Sequence, residues 1–145
     1  MLLELENAVI TMLKDAGIRA YAWSGEVNEL FSRPKETPTL RIVIEKMEFE
    51  PVSLAYKVIG QISILLFFRN LRDEGQGAYP LIAKVINTLS NKIANGFLIK
   101  PASINLLYHE AGEFAYQLTF KAEGRWVIPE EDEPIVKVIT FEEVA

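Results

Sequence analysis

The stretch Val52-Ser53-Leu54-Ala55-Tyr56-Lys57-Val58-Ile59-Gly60-Gln61-Ile62-Ser63-Ile64-Leu65-Leu66-Phe67-Phe68 decides the fold class. Every even position in it is apolar or glycine, whereas the odd positions include Ser53, Lys57, Gln61 and Ser63. Side chains two residues apart project to the same side of an extended chain, so the pattern specifies β structure with one buried face. The phase is unbroken through Gly60, which predicts one long bent strand rather than two strands meeting at the glycine. Leu65 and Phe67 add apolar residues to the second face, so the end of the strand is predicted to be covered on both sides.

Working outward, residues 39–46 alternate as well, with Leu40, Ile42 and Ile44 opposite Arg41 and Glu45, and Pro51 reads as the break between the two runs. Residues 24–38 are polar and contain Pro34 and Pro38, a surface loop with a possible helical turn at 26–31. Residues 18–23 read as a short strand. Leu2, Leu5, Val9, Met12, Leu13 and Ala16 recur at helical spacing, and Gly17 is the stop signal, giving a helix over 2–16. Downstream, residues 69–77 form a polar connection. A second helix is predicted with Pro80 in its first turn, a stripe of Ala78, Ile82, Val85, Leu89 and Ile93, and Gly96 after its end. Pro101 precedes a strand with Ile104, Leu106 and Tyr108 in phase. Residues 109–113 form a hairpin loop, and Phe114, Tyr116, Leu118 and Phe120 alternate to the end of the compact part at Gly124. The predicted class is α+β: a mostly antiparallel, mixed sheet carrying two amphipathic helices on one face. A single domain is expected over residues 1–128, followed by an acidic linker and a β-prone arm over 129–145.

Charge and composition narrow the function. The 145 residues are 50% hydrophobic, carry a net charge of −5 and contain no cysteine, which excludes disulfides, thiolate metal sites and a Cys nucleophile. Six of the 20 acids fall in the last 16 residues, opposed only by Lys137; the remainder of the chain is neutral. A neutral body with an acidic tail argues against nucleic acid as the main ligand, since phosphate binding needs a net basic surface. The acidic start and the lack of a long apolar run predict a non-secreted protein with no membrane contact.

Motifs for chemistry fail on detail. Gly75-Gln76-Gly77 follows a strand, but the third fingerprint glycine would be Pro80, no P-loop lysine follows, and Asp73 and Glu74 would repel phosphate. His109, the single histidine, stands with Glu110 and Glu113 in a predicted loop and reads as a solvated turn rather than a metal site. Glu48 and Glu50 read as exposed charge at a strand end. Residues 130–133 lack calcium-loop spacing. No enzyme, no cofactor and no metal is expected. Most aromatics are in phase with the core; Tyr21, Trp23, Phe31 and Trp126 stand outside the strong patterns and are candidates for an interface.

One combination is more specific. The long strand ends in Arg69-Asn70-Leu71-Arg72, Gly77-Ala78-Tyr79-Pro80-Leu81-Ile82 opens the second helix, and the closing strand reads Ala115-Tyr116-Gln117-Leu118-Thr119-Phe120. With the N-terminal amphipathic helix, these motifs resemble a family of small tail proteins from Mu-like phages and prophages, a tail-terminator-like domain of unknown function. The resemblance covers about residues 3–122. It implies a structural protein that forms a ring, six-fold in a contractile tail, at the head–tail junction, with the tail tube and head-completion proteins as partners. The implied location is the host bacterial cytoplasm during assembly and then the virion tail. Arg69, Asn70, Arg72 and Tyr79 are the family-like residues. Arg69 and Asn70 are expected to fix the strand-to-helix turn, and Arg72 to reach a partner or to hold the turn with them. The other readings are a head-completion or baseplate component and, from a different class, a soluble ligand-binding or enzyme-accessory domain with a pocket between helix and sheet.

The sequence departs from the family pattern after Phe120. Ile135, Val136, Val138, Ile139 and Phe141 make residues 135–141 too apolar to stand in water without a partner, and the run is rich in β-formers. Such a segment must pair with a sheet edge, its own or a neighbour's; the acidic linker favours an exchanged strand.

Overall fold

The computed structural model describes residues 2–22, 38–69, 71–72, 77–110 and 113–127, with the side chains of 108–110 excepted. The elements run α1 (Leu2–Asp15), β1 (Ala20–Ala22), β2 (Thr39–Val52), β3 (Ala55–Phe68), α2 (Ala78–Leu89), β4 (Ile93–Ala94), β5 (Phe97–Glu110) and β6 (Glu113–Trp126). The six strands form one sheet in the order β1-β2-β3-β6-β5-β4. β1 pairs parallel with β2; the other pairings are antiparallel. This is the expected α+β class, with both helices packed on one face.

The helices follow their apolar stripes. Leu5, Val9 and Leu13 of α1 and Ala78, Ile82, Val85 and Leu89 of α2 are buried against Leu40, Ile42, Val58, Ile62, Ile64, Leu66 and Phe68 of the sheet. Each fully buried Leu, Val or Ile side chain contributes about 1.5–3 kcal/mol. α1 ends in a Schellman cap: Gly17 takes φ of 82°, Ile18 N–H donates to Leu13 O at 2.9 Å, and Gly17 N–H donates to Lys14 O at 2.9 Å. The end of β3 is covered on both faces, as the run Leu65–Phe68 implies. Leu65, Phe67 and Ala115 form a second cluster behind the sheet, and the Arg41 guanidinium lies 4.7 Å above the Phe67 ring.

Several boundaries differ from the sequence reading, each for a local reason. Residues 52–68 are not a single strand. β2 continues through Pro51 to Val52, Ser53 and Leu54 make a two-residue turn, and β3 begins at Ala55. Ser53 takes φ of 57°, the left-handed conformation that the first residue of such a loop needs to match strand twist. From there β3 does run unbroken through Gly60. Pro51 is tolerated because it lies at the last pairs of the hairpin. A bulge between Ile44 and Lys46 shifts the phase of β2, so that Met47 and Phe49 follow Ile44 on the core face.

The second helix stops at Leu89, not at 95. Ile93 is 67% exposed and belongs to β4. Asn95 and Gly96, with φ of 48° and 84°, form the β4–β5 hairpin turn rather than a helix cap. β5 starts at Phe97 and passes through Pro101 with bulges on either side of residues 103–106. Gly124 lies inside β6 beneath Phe97: a Cβ there would sit 2.7 Å from Phe97 Cδ2. The loop at 26–31, Trp23, Phe31 and the arm lie outside the described residues.

The Gly124 contact gives a direct test. Gly124→Ala should lower unfolding free energy in denaturant by about 1–3 kcal/mol through overpacking against the buried Phe97 ring. The penalty should shrink in a Phe97→Leu background. Equal penalties in both backgrounds would show that the ring is not the obstacle.

Candidate functional site

Of the residues singled out by the sequence resemblance, Arg69, Arg72 and Tyr79 lie where β3 hands the chain to α2. Arg69 follows the last residue of β3, and Phe68 pairs with Phe114 of β6. That register brings the exposed Arg69 Nε within 3.4 Å of Oε2 of Glu113, whose side chain is nearly buried. Asn70 lies outside the described residues. Tyr79 N–H donates to Leu71 O at 2.9 Å, which clips the helix start onto the connection. Gly77, the N-cap residue, makes no side-chain cap, so α2 begins without the usual Ser, Thr, Asp or Asn.

Arg72 and Tyr79 belong to a surface array. The Arg72 guanidinium lies 5.6 Å from the Tyr79 ring centroid, and Tyr79 meets Tyr116 edge-on at 6.5 Å. Such cation–π and edge-to-face contacts hold a surface in one conformation at modest energy, about 0.5–1 kcal/mol for an exposed cation–π pair. The Tyr116 phenol is raised above the ordinary tyrosine value, first by burial and then by the hydrogen bond it shares with Tyr79; the positive charge of Arg72 works in the opposite direction. Leu106 pairs with Tyr116 and Ile104 with Leu118, and both side chains are about half exposed. Arg72, Tyr79, Tyr116, Ile104 and Leu106 thus line one continuous strip, cationic at one end and apolar along its length.

The sequence reading singled out Arg69, Arg72 and Tyr79; it placed Glu113 in a solvated loop and gave Tyr116 to the inward face of the closing strand. Tyr116 does share the face of Phe114, as the alternation implies; what alternation does not carry is that this part of the face runs out beside Tyr79. Among the interface candidates, Tyr21 is half exposed on β1. Trp126 is tied into a cluster at the far end of the sheet, its ring 5.4 Å from Phe49, which meets Tyr56 at 6.0 Å. Leu54, 94% exposed, and Val52 project at that same hairpin end.

A cleft of about 260 Å³ lies between Gly17–Arg19, Pro38, Leu40, Pro80, Leu81 and Lys84, below the ~300–1,000 Å³ usual for small-molecule sites. Among the described residues, no three His, Cys, Asp or Glu side chains converge as metal ligands, and no helix is long and apolar enough to cross a membrane. Sequence comparison returns no match to a family model or to a curated protein. Comparison of folds does: a chain of "Virion of native gene transfer agent (GTA) particle" superposes with a TM-score of 0.65 over 84% of this chain and 95% of that one, at 13% identity. At that identity the likeness is one of fold.

The tyrosine pair gives a pH prediction. Spectrophotometric titration of the folded protein should show Tyr116 ionising above the usual value of about 10, and Tyr79→Phe should bring it down. The folded-state value is raised, so its contribution to stability is complete below the unfolded tyrosine pKa and is lost as pH rises through the folded value. A Tyr116 pKa unchanged by Tyr79→Phe, once the lost Tyr79 signal is subtracted, would rule out the shared hydrogen bond.

Proposed function

We propose that the chain is a non-enzymatic virion assembly protein of a phage or prophage, and more specifically a tail terminator of the Mu-like type. In this role it forms a ring, six-fold to match a contractile tail, at the head–tail junction and meets the tail tube on one side and head-completion proteins on the other. It would assemble in the host cytoplasm and remain in the virion tail. The observation that carries this reading is the fold shared with nearly the whole length of a virion-particle chain. The character of the surface supports it: a strip of Arg72, Tyr79, Ile104 and Leu106 suits contact with another protein better than capture of a small molecule.

Deletion of the gene in an inducible prophage tests the role. Electron microscopy should show intact heads and baseplates beside tails of irregular length or tails left unjoined. Normal infectious particles would overturn the proposal, and loss of heads or baseplates would move the protein to a head-completion or baseplate position.

Arg72→Ala tests the surface. Arg72 is exposed and its cation–π contact with Tyr79 is modest, so the substitution should cost no more than about 1 kcal/mol while tail joining falls. Parallel losses of melting temperature and joining would make Arg72 a structural residue of the turn.

A further inference from the structure

The sheet has two edges that its own short strands leave largely open. β1 pairs only with residues 40–42 of β2. At the other side β4 pairs with Phe97 and Leu98, and Asn91 and Lys92 bond the backbone of Ile99. Among the described residues, nothing pairs with the outer edge of β2 beyond Ile42 or of β5 beyond Ile99.

The two edges differ in chemistry. That of β2 carries Glu45, Lys46, Glu48, Glu50 and Pro51, with a bulge at Glu45. Both edges carry a proline and a bulge, Pro101 and two bulges on β5 included; what separates them is charge, which on β2 opposes strand addition. The β5 edge reads Pro101-Ala102-Ser103-Ile104-Asn105-Leu106-Leu107, with no charge at all. Ile104, Leu106 and Leu107 are 48%, 54% and 37% exposed. The extra residues at Ala102 and Leu107 leave 103–106 in regular register between them. An apolar edge of this kind is a template for another strand.

The chain contains a strand that fits. Residues 135–141 are β-prone and apolar, and the acids at 130–133 precede them. Beside the open edge, Lys100 faces Lys121 in register, both exposed. Like charges directly opposed across a ladder are unfavourable, and an acidic segment laid over them removes the conflict. The same acids on the β2 edge would meet Glu48 and Glu50.

Reach is tight for the chain's own arm. Ser103 pairs with Thr119, seven residues before the end of β6 at Trp126. Seven residues of strand and two strand spacings amount to a straight line of about 25 Å. From Trp126 to Ile135 the chain spans at most about 30 Å when fully extended. A path lifted over the side chains, or carried round β4, consumes that length, and the linker contains Pro129 and Pro134. A neighbouring copy imposes no such tension.

We propose that the outer edge of β5 at residues 103–107 accepts residues 135–141 of a second copy of this chain as an added strand, with the acids at 130–133 over Lys100 and Lys121. With one donor arm and one acceptor edge per chain, exchange in a single direction is a head-to-tail contact that closes into a ring where the rotation allows. The proposal rests on the ring reading above and names its interface. Its test uses purified protein and is read independently of the prophage phenotype.

The absence of native cysteine makes crosslinking clean. Full-length protein with Asn105→Cys is mixed with variants in which each residue from 135 to 141 in turn is changed to Cys, and the mixtures are mildly oxidised. Covalent dimers containing one chain of each kind are expected, at yields that alternate along the arm. Lys100→Glu with Lys121→Glu should cut the yield several-fold. If chains carrying both cysteines close only on themselves while the mixtures give nothing, the arm pairs within its own chain and the proposal fails. If neither arrangement crosslinks, β5 is not the acceptor. A yield unchanged by the glutamates would overturn the contact between linker and lysines.

Discussion

The ladder between β3 and β6 is the constraint on which the rest depends. It runs through thirteen consecutive pairs, from Tyr56 with Trp126 to Phe68 with Phe114, without a bulge. A slip of one residue would send Gln61 and Ser63 into the helix-covered core and turn Ile62 and Ile64 away from it. The ladder therefore holds the two faces apart, and irregularity is confined to its neighbours. β2 takes a bulge at Glu45 and β5 takes two, at Ala102 and Leu107. The bulge at Glu45 is anchored behind the sheet: Gln117 Nε2 donates to Glu45 Oε1 at 3.2 Å and to Ser63 Oγ at 3.0 Å. A polar group in the centre of the ladder thus supports the irregular strand beside it.

The parts of the fold legible in the sequence are those where one physical rule acts alone. α1 has a clean apolar stripe and a glycine with the positive φ that its cap requires, and both readings survive. The double burial of the β3 end was legible because Leu65 and Phe67 fill positions that a solvated face would give to polar residues. The errors arose where two rules gave the same surface pattern. The even-position alternation continues across Val52 and Leu54 only by coincidence of composition: Val52 pairs with Ala55, so the two-residue turn reverses the parity, and Val52 and Leu54 are exposed rather than part of the buried face. Asn95-Gly96 is a hairpin signal, but a glycine after a helical stripe is also a helix stop. The bulge at Glu45 conceals Met47 and Phe49, whose odd positions look outward until the extra residue is counted.

The site was legible in one dimension only. Arg69, Arg72 and Tyr79 are close in sequence, and their grouping could be read directly. Their partners Glu113 and Tyr116 lie more than thirty residues away and reach them only through the β3–β6 register. Glu113 looked like a loop residue because the β5–β6 hairpin is tighter than the polarity of residues 109–113 suggests; β6 starts at Glu113 itself, which faces Arg69.

A mismatch of lengths explains why this fold has surfaces to offer. Each of the four long strands has fourteen residues, about 46 Å if straight. α1 and α2, at fourteen and twelve residues, are about 21 and 18 Å long. Two helices side by side cannot shield such a sheet along its whole length. Where they stop, the sheet must cover itself or remain bare. At the hairpin end it covers itself: Met47 lies over Gly60, Phe97 over Gly124, and Phe49, Tyr56 and Trp126 pack ring to ring. The two glycines are what allow those large side chains to lie flat on the strands. Along β5 no such device is present among the described residues, and Ile104 and Leu106 remain in solvent beside Tyr116. The difference is physical: one end of the sheet is finished by its own side chains, whereas along β5 the described residues leave Ile104 and Leu106 half exposed.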